Sequence, residues 1–141
     1  MTDVIRLMAR AQKLLRAAAD EAMSVHGVRI GQNLVLEVLW EHDGLSPGEL
    51  AGRLQMATPT VVNTATRMVK DGLIERRPDP GDRRLVRLYL TDKGRSARAP
   101  IEDAQRRLAA HALATLTVQE RETLASALQK IIEQMQYPPN A

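Results

Sequence analysis

Two helix starts written close together constrain this chain more than any other feature. Ser46-Pro47-Gly48-Glu49 puts a serine where the first free N–H groups need an acceptor, a proline at the first helical position and a glutamate at the third, the pattern of a capping box. Thr58-Pro59 repeats the cap-then-proline signal and opens a second helix, which stops near Asp71-Gly72. Leu50, Ala51 and Leu54 give the first of these helices an apolar face, and only Gln55-Met56-Ala57 joins it to the next. Two short helices so joined form a helix-turn-helix candidate.

The flanks add helices before the pair and a hairpin after it. Val4, Leu7, Met8, Ala11, Leu14, Leu15, Ala18 and Ala22 form one stripe on a helix over residues 4–22, with Arg6, Arg10, Lys13 and Arg16 mostly off it. Gly27 breaks that pattern, and a second apolar helix runs from about Ile30 to Glu41. Beyond Gly72 the pattern turns extended, with one strand from Leu73 to Arg77. Pro78-Asp79-Pro80-Gly81-Asp82 is turn chemistry with two prolines that cannot continue a ladder. From Arg83 to Leu90, Val86, Leu88 and Leu90 alternate with Arg87 and Tyr89, as in a strand with one buried face. Such a hairpin, arginine-bearing at its tip and outer face, is a wing. Thr91 caps a further helix that Pro100 should kink or split near Ala99. Thr117-Val118-Gln119-Glu120 is another capping box, opening a helix with Leu124, Leu128, Ile131, Ile132 and Met135 on one side, and Pro138-Pro139 ends the order.

The expected architecture is mainly α with a small β-hairpin wing (α+β), a single domain over 1–141. A winged helix-turn-helix lobe occupies 30–94, and helices over 1–25 and 95–137 serve dimerisation.

Composition narrows the function. With two Tyr, one Trp and no Phe, the chain cannot build the aromatic platform on which sheet-based readers stack single-stranded bases. The net charge is only +3, yet residues 67–98 carry a balance of +5 and the rest a balance of −2. A local basic region on a near-neutral body suits a docked polyanion, although a solvated charged surface has the same composition. The absence of cysteine removes disulfides, Cys-ligated zinc and thiol redox sensing. No apolar run approaches the ~20 residues that cross a bilayer. The first 22 residues carry Asp3 and interleaved charges, unlike a signal or transit peptide, so a cytoplasmic location is expected.

In the second helix of the pair, Val61, Ala65 and Met68 should face inward. Thr60, Asn63, Thr64 and Arg67 then share another face, with short hydrogen-bonding groups and one guanidinium suited to base edges in a major groove. Alone these four would pass for an ordinary polar surface. Their position argues otherwise, because the helix is second in a helix-turn-helix and a basic hairpin follows it at once. Arg76, Arg77, Arg83, Arg84 and Arg87 lie within twelve residues of that hairpin. An arginine at a protruding tip can enter the narrow minor groove, whose negative potential attracts cations. Asp82, two residues before Arg84, is placed to steer its guanidinium by a bidentate pair.

Leu50-Ala51 through Asp71-Gly72-Leu73-Ile74-Glu75-Arg76-Arg77, then Pro78-Asp79-Pro80-Gly81-Asp82-Arg83-Arg84 and Leu90-Thr91-Asp92-Lys93-Gly94, resembles the signature of MarR regulators. The Asp-Arg-Arg wing with the Leu-Thr-Asp-Lys-Gly that follows is far more specific than a helix-turn-helix alone. Gly27 to Leu39 and Leu116 to Met135 resemble the family's second and last helices, so the likeness covers nearly the whole chain. It implies a two-fold dimer held by terminal helices, recognition helices in successive major grooves and wings along the minor groove. By motif matching, Arg84 is the minor-groove arginine and Asp82 its orienting partner. Val62 and Ala65 stand where relatives often carry larger or more polar side chains, so operator preference does not transfer. The family's cysteine-based peroxide sensors are excluded.

The expected function is therefore that of a sequence-specific regulator, a ligand-responsive repressor binding a pseudo-palindromic operator as a homodimer, with no enzyme activity. Its candidate DNA-binding residues are Thr58, Thr60, Asn63, Thr64 and Arg67 on the recognition helix, with Arg76, Asp82, Arg83 and Arg84 on the wing. The resemblance implies a small aromatic or phenolic effector, and His26, Arg29 and Trp40 are candidates to line its pocket, although Trp40, near the end of the second helix, suits a core position better than a ligand platform. His26, His42 and His111 lack metal-ligand spacing, so no metal or other cofactor is expected. Ser46 is explained by capping. The stripe over 4–22 would suit a membrane surface, but the last helix offers a matching stripe and burial in a dimer. A nonspecific architectural DNA protein shares the charge pattern and differs by ignoring base sequence. A small helical enzyme would need a clustered acid, base or nucleophile, which the sequence lacks.

Overall fold

Asp3 opens the first helix by accepting the Arg6 N–H on its side chain at 3.2 Å. The computed structural model describes residues 3–137 and 139; Pro138, expected to end the last helix's order, lies outside them, as do Met1, Thr2, Asn140 and Ala141. In order come α1 (Val4–Ser24), α2 (Gln32–Glu41), α3 (Pro47–Leu54), α4 (Thr58–Lys70), β1 (Ile74–Pro78), β2 (Val86–Leu90), α5 (Asp92–Ser96), α6 (Arg98–Ala112) and α7 (Val118–Met135). The chain falls into two compact units, Met1–Arg106 and Arg107–Ala141.

The first unit holds the apolar core. Leu36 and Leu39 of α2, Leu50 of α3, Val61 and Met68 of α4, Leu73, Ile74, Leu88 and Ile101 are all buried. Burying side chains of this size contributes about 1.5–3 kcal/mol each, so Val61 and Met68 fix which side of α4 faces outward. Between α3 and α4 the chain turns through Gln55 in the left-handed conformation (φ 53°), and the Met56 N–H reaches back to the Ala51 carbonyl at 3.0 Å. Gly72 ends α4 in the same way at φ +77°, with the Leu73 N–H returning to the Met68 carbonyl at 2.9 Å. The hairpin is antiparallel, in register from Ile74↔Leu90 to Pro78↔Val86, and Leu45 adds an isolated bridge to Leu88.

Several local expectations need correcting. Ser46 Oγ accepts the Glu49 N–H at 3.1 Å, but the return half of the box is not made. The Glu49 carboxylate accepts the Ser46 hydroxyl at 3.2 Å and faces the Arg87 guanidinium at 3.5 Å, which holds it away from the Ser46 N–H. Thr58 does not cap α4. The Ala57 carbonyl accepts the first intrahelical bond, from Val61 at 3.2 Å, making Ala57 the N-cap with no side-chain cap. Pro59 then sits in the first turn, where a missing N–H costs nothing.

On the wing, Pro78 does belong to the ladder as the last residue of β1, a position where a strand tolerates proline. Residues 83–85 belong to the tip and not to β2, because Asp79 and Leu85 close a turn (Asp79 N–H to Leu85 O, 2.9 Å) that encloses them. Thr91 caps α5 through the Gly94 N–H at 3.1 Å, and the break falls at Ala97 instead of Ala99. Pro100 thus lies in the first turn of α6.

In the second unit α7 begins with a complete box: Thr117 Oγ1 accepts the Glu120 N–H at 3.1 Å and Glu120 Oε1 accepts the Thr117 N–H at 3.0 Å. Among the described residues of this unit none is buried. Leu124, Leu128, Ile131, Ile132 and Met135 are all exposed on the single chain.

Candidate nucleic-acid interface

With Val61, Ala65 and Met68 turned into the core, α4 leaves Thr58, Thr60, Asn63 and Arg67 exposed and Thr64 half-buried. Residues 60, 63, 64 and 67 are neighbours on one helix face, so their hydroxyl, amide and guanidinium groups form one row. The adjoining exposed edge of α4 carries Thr66, which the sequence reading passed over. Its hydroxyl donates to the Val62 carbonyl at 2.9 Å and accepts Arg76 Nη2, from β1, at 2.7 Å. One threonine thereby ties an arginine of β1 to α4. A polar residue one turn after an exposed Val62 was the only sequence signal for it.

The five hairpin arginines divide by what holds them. Arg84 leaves the tip with a side-chain exposure of 92%, and both its backbone N–H (3.0 Å) and its Nε (3.3 Å) reach Asp82 Oδ1. The expected orienting contact is therefore present, but through a single oxygen. With the main-chain N–H occupying the same oxygen, the two-pronged pairing read from the sequence does not form. Arg83 is exposed at the same tip. Arg77 pairs with Glu75 and lies over the Tyr89 ring, 4.6 Å from its centre. Arg87 turns inward: its Nε donates to Asp79 Oδ1 at 2.5 Å and its Nη1 to the Gly44 carbonyl at 2.9 Å. The Arg87 guanidinium, followed by the Gly81 N–H, holds the Asp79 carboxyl below its ordinary pKa, and Asp79 in turn raises that of Arg87.

The three candidate pocket residues are not brought together. Arg29 forms a two-pronged pair with Asp20 (Nε–Oδ1 3.2 Å, Nη2–Oδ2 3.1 Å), and Asp20 Oδ1 also accepts the Ile30 N–H at 3.0 Å. These bonds, led by the one from Ile30, lower the Asp20 pKa. Arg29 lines a recess of about 680 Å³ together with Arg16, Asp20, Ile30, Gln32, Thr64, Arg67, Lys70 and Asp71. Neither His26 nor Trp40 lines it. His26 is exposed in the turn after α1. Trp40 is half-buried against the core, its Nε1 donating to the Gly94 carbonyl at 2.9 Å with the Arg98 guanidinium 5.9 Å from its ring centre. Its polar edge is thus engaged by the fold, and a guanidinium lies over its ring.

The recess has a feature that sequence did not signal. Gln32 is buried; its Oε1 accepts the Arg29 N–H and its Nε2 donates to Asp71 Oδ2, both at 2.9 Å. It bonds the segment before α2 to the C-cap of α4.

The MarR family model matches residues 29–86. The chain is 31% identical over 121 residues to the HTH-type transcriptional repressor MdtR of Bacillus subtilis, covering 85% of this chain and 77% of the relative. It is 29% identical over 94 residues to the uncharacterized HTH-type transcriptional regulator YsmB of the same organism, 67% of this chain and 64% of that one. The chain spans a smaller share, 40%, of a further curated relative. Among solved structures it is similar to a mutant MarR of E. coli complexed with operator DNA, with a TM-score of 0.75 and 25% identity over 92% of this chain and 99% of that one.

Proposed function

The chain belongs to the MarR family, and from that premise we propose that it is a cytoplasmic, sequence-specific repressor that binds a pseudo-palindromic operator as a homodimer and has no catalytic role. The observation that carries this reading is the pairing of two DNA-directed surfaces on one frame. The exposed row of α4 supplies base-reading groups, and the wing tip presents Arg84 beside it in sequence and 92% exposed. Thr58, Thr60, Asn63, Thr64 and Arg67 enter the major groove in this reading, while Arg76 and Arg83 meet phosphates and Asp82 steers Arg84.

Two such heads on a two-fold axis read half-sites about one helical turn, ~34 Å, apart. The uncovered apolar sides of α1 and α7 supply the dimer contact. Leu14 and Leu15 of the former and Leu128 and Ile132 of the latter are exposed on the single chain. The recess beside α4 is read as the effector site, taking an aromatic or phenolic anion between Arg16, Arg29 and Lys70. Arg67 lines both this recess and the reading face, so an occupied recess and a bound operator draw on the same side chain.

Selection from random duplex DNA tests the reading directly. A recovered palindrome bound at least about a thousandfold more tightly than bulk DNA is the expected result. Recovery of unrelated sequences with uniform affinity would instead mark a nonspecific architectural protein.

A further inference from the structure

Among the hairpin arginines Arg87 is the inward one, its side chain 27% exposed against 92% for Arg84. Its guanidinium touches three separate segments. Nε holds Asp79 Oδ1 in the wing turn at 2.5 Å, and Nη1 donates to the Gly44 carbonyl in the loop before α3 at 2.9 Å. The same Nη1 stands 3.5 Å from Glu49 Oε1 in the first turn of α3. Asp79 then continues the chain along the turn toward the tip: its Oδ2 accepts the N–H groups of Gly81 at 2.9 Å and Asp82 at 2.8 Å. Asp82 Oδ1 in turn accepts both the N–H and the Nε of Arg84. An unbroken chain of hydrogen bonds thus runs from the helix-turn-helix to the wing-tip arginine.

The backbone ladder alone would not fix that geometry. The ladder ends at Pro78↔Val86, and residues 79–85 lie beyond it, held by the Asp79–Leu85 bond and by the Asp79 carboxylate. A two-stranded hairpin is also free to bend against the body that carries it. Arg87 is where wing turn, α3 and the Gly44 loop meet.

We propose that Arg87 is a positioning residue: acting through Asp79, it sets the direction in which Arg84 leaves the wing, and with it the preference for a narrow, A·T-rich flank. The proposal rests on the reading of Arg84 as a minor-groove contact. Arg87 itself touches no DNA in this scheme. The same guanidinium holds the Asp79 carboxyl below its ordinary pKa, which favours the charged form that makes these bonds.

The test uses the intact chain with Arg87→Gln, Arg87→Lys and Asp79→Asn, alongside Arg84→Ala. Two quantities are read: amide hydrogen exchange at Gly81 and Asp82 in the free protein, and the ratio of affinities for two duplexes differing only in flank width. A lost charge, positive at Arg87 or negative at Asp79, shifts affinity for both duplexes in the same direction, so the ratio isolates positioning from charge. Arg87→Gln and Asp79→Asn should speed exchange at both amides and lower the ratio by up to about fivefold, the range of partly exposed ion pairs. Arg87→Lys, a point charge that cannot span Asp79 and Gly44 together, should restore only part of it. In the Arg84→Ala background Arg87→Gln should change the ratio no further. Unchanged exchange at Gly81 and Asp82 overturns the brace, whatever the DNA reading. Faster exchange with an intact ratio, where Arg84→Ala lowers it, overturns the positioning role alone. An unaltered ratio in Arg84→Ala removes the minor-groove reading and this proposal with it.

Discussion

A methyl group on the α-carbon of Gly94 would stand 2.1 Å from the carbonyl oxygen of Leu73. The approach is fastened from several sides: Trp40 Nε1 donates to the Gly94 carbonyl, Thr91 Oγ1 to the Gly72 carbonyl at 2.5 Å, and Lys93 Nζ to the Asp71 carbonyl at 2.8 Å. Residues 91–94 therefore clamp α5 onto the end of α4 and the start of β1. Gly94→Ala must push these apart, and overpacking of this kind costs about 1–3 kcal/mol. Gly52→Ala is the control, since nothing lies within 4 Å of its added methyl group and the site is helical. It should be neutral or stabilising by up to about 1 kcal/mol. Urea unfolding of the two variants beside the parent reads both values, and equal stabilities would contradict the clamp.

How much of this was legible in the sequence depends on how far apart the partners lie. The inward set of Val61, Ala65 and Met68 followed from helical period alone, because burial repeats every turn. So did the stops at Gly27 and Gly72, where left-handed backbone selects glycine. The start of β2 was not legible, because the alternation of Val86, Leu88 and Leu90 sets no upper end to the strand, while the Asp79 carboxylate captures two N–H groups of the turn before it. Trp40 was legible as a core residue of α2, but its bond to Gly94, 54 residues away, was not. Arg87 was the least legible, because its partner Gly44 lies 43 residues away. Nothing local marks such a side chain as part of the frame instead of part of a site.

Leu128→Asp should leave the protein monomeric. The side chain lies on the uncovered apolar side of α7 beside Leu124, Ile131 and Ile132, and a carboxylate there cannot be buried without a partner. Since the α7 unit has no buried described residue, the substitution disturbs association more than the fold of the first unit. Sedimentation across a concentration series, with operator binding on the same samples, checks it. A monomer that still binds the full palindrome tightly would show that two reading heads are not needed.

Asn63→Ala and Arg67→Ala should each flatten preference at particular operator positions. A good bidentate base contact contributes about 1–3 kcal/mol of discrimination, or roughly five- to a hundredfold in relative affinity. Arg67→Ala should also weaken binding of an anionic effector, because Arg67 lines the recess as well; Asn63→Ala should not. Base-by-base binding profiles that match the parent would confine both residues to backbone contact.

The Asp20 pKa is lowered in the fold by the Ile30 N–H and then by Arg29. A depressed carboxyl stabilises the folded state above its unfolded pKa, near 4, and loses that contribution as pH falls through the lower folded value. Asp20→Ala should therefore melt below the parent by a constant interval at pH values above about 5. The interval should shrink as the solution is acidified below about 4. Thermal melts across pH decide it. An interval that widens in acid would mean that the pair with Arg29 does not anchor the loop before α2.

Arg84 and Asp82 should behave as one element. Arg84 is the most exposed of the paired hairpin arginines, and the Asp82 oxygen that meets its guanidinium also holds its backbone N–H. Arg84→Ala should weaken binding to every duplex, most where the flank is A·T-rich and the groove narrow. Because one phosphate-neutralising charge is gone, the slope of log affinity against log salt should fall by about one unit. Asp82→Ala keeps every positive charge, so it should lose part of the affinity for the narrow flank with the salt slope intact. Combining the two should cost less than the sum of the separate losses, since without Arg84 there is nothing for Asp82 to steer. Fluorescence anisotropy over a salt series, on one duplex with a narrow flank and one without, measures all three variants. Identical salt slopes for the parent and Arg84→Ala would place this guanidinium away from the DNA, and additive losses would mean that the 3.3 Å contact with Asp82 does not direct it.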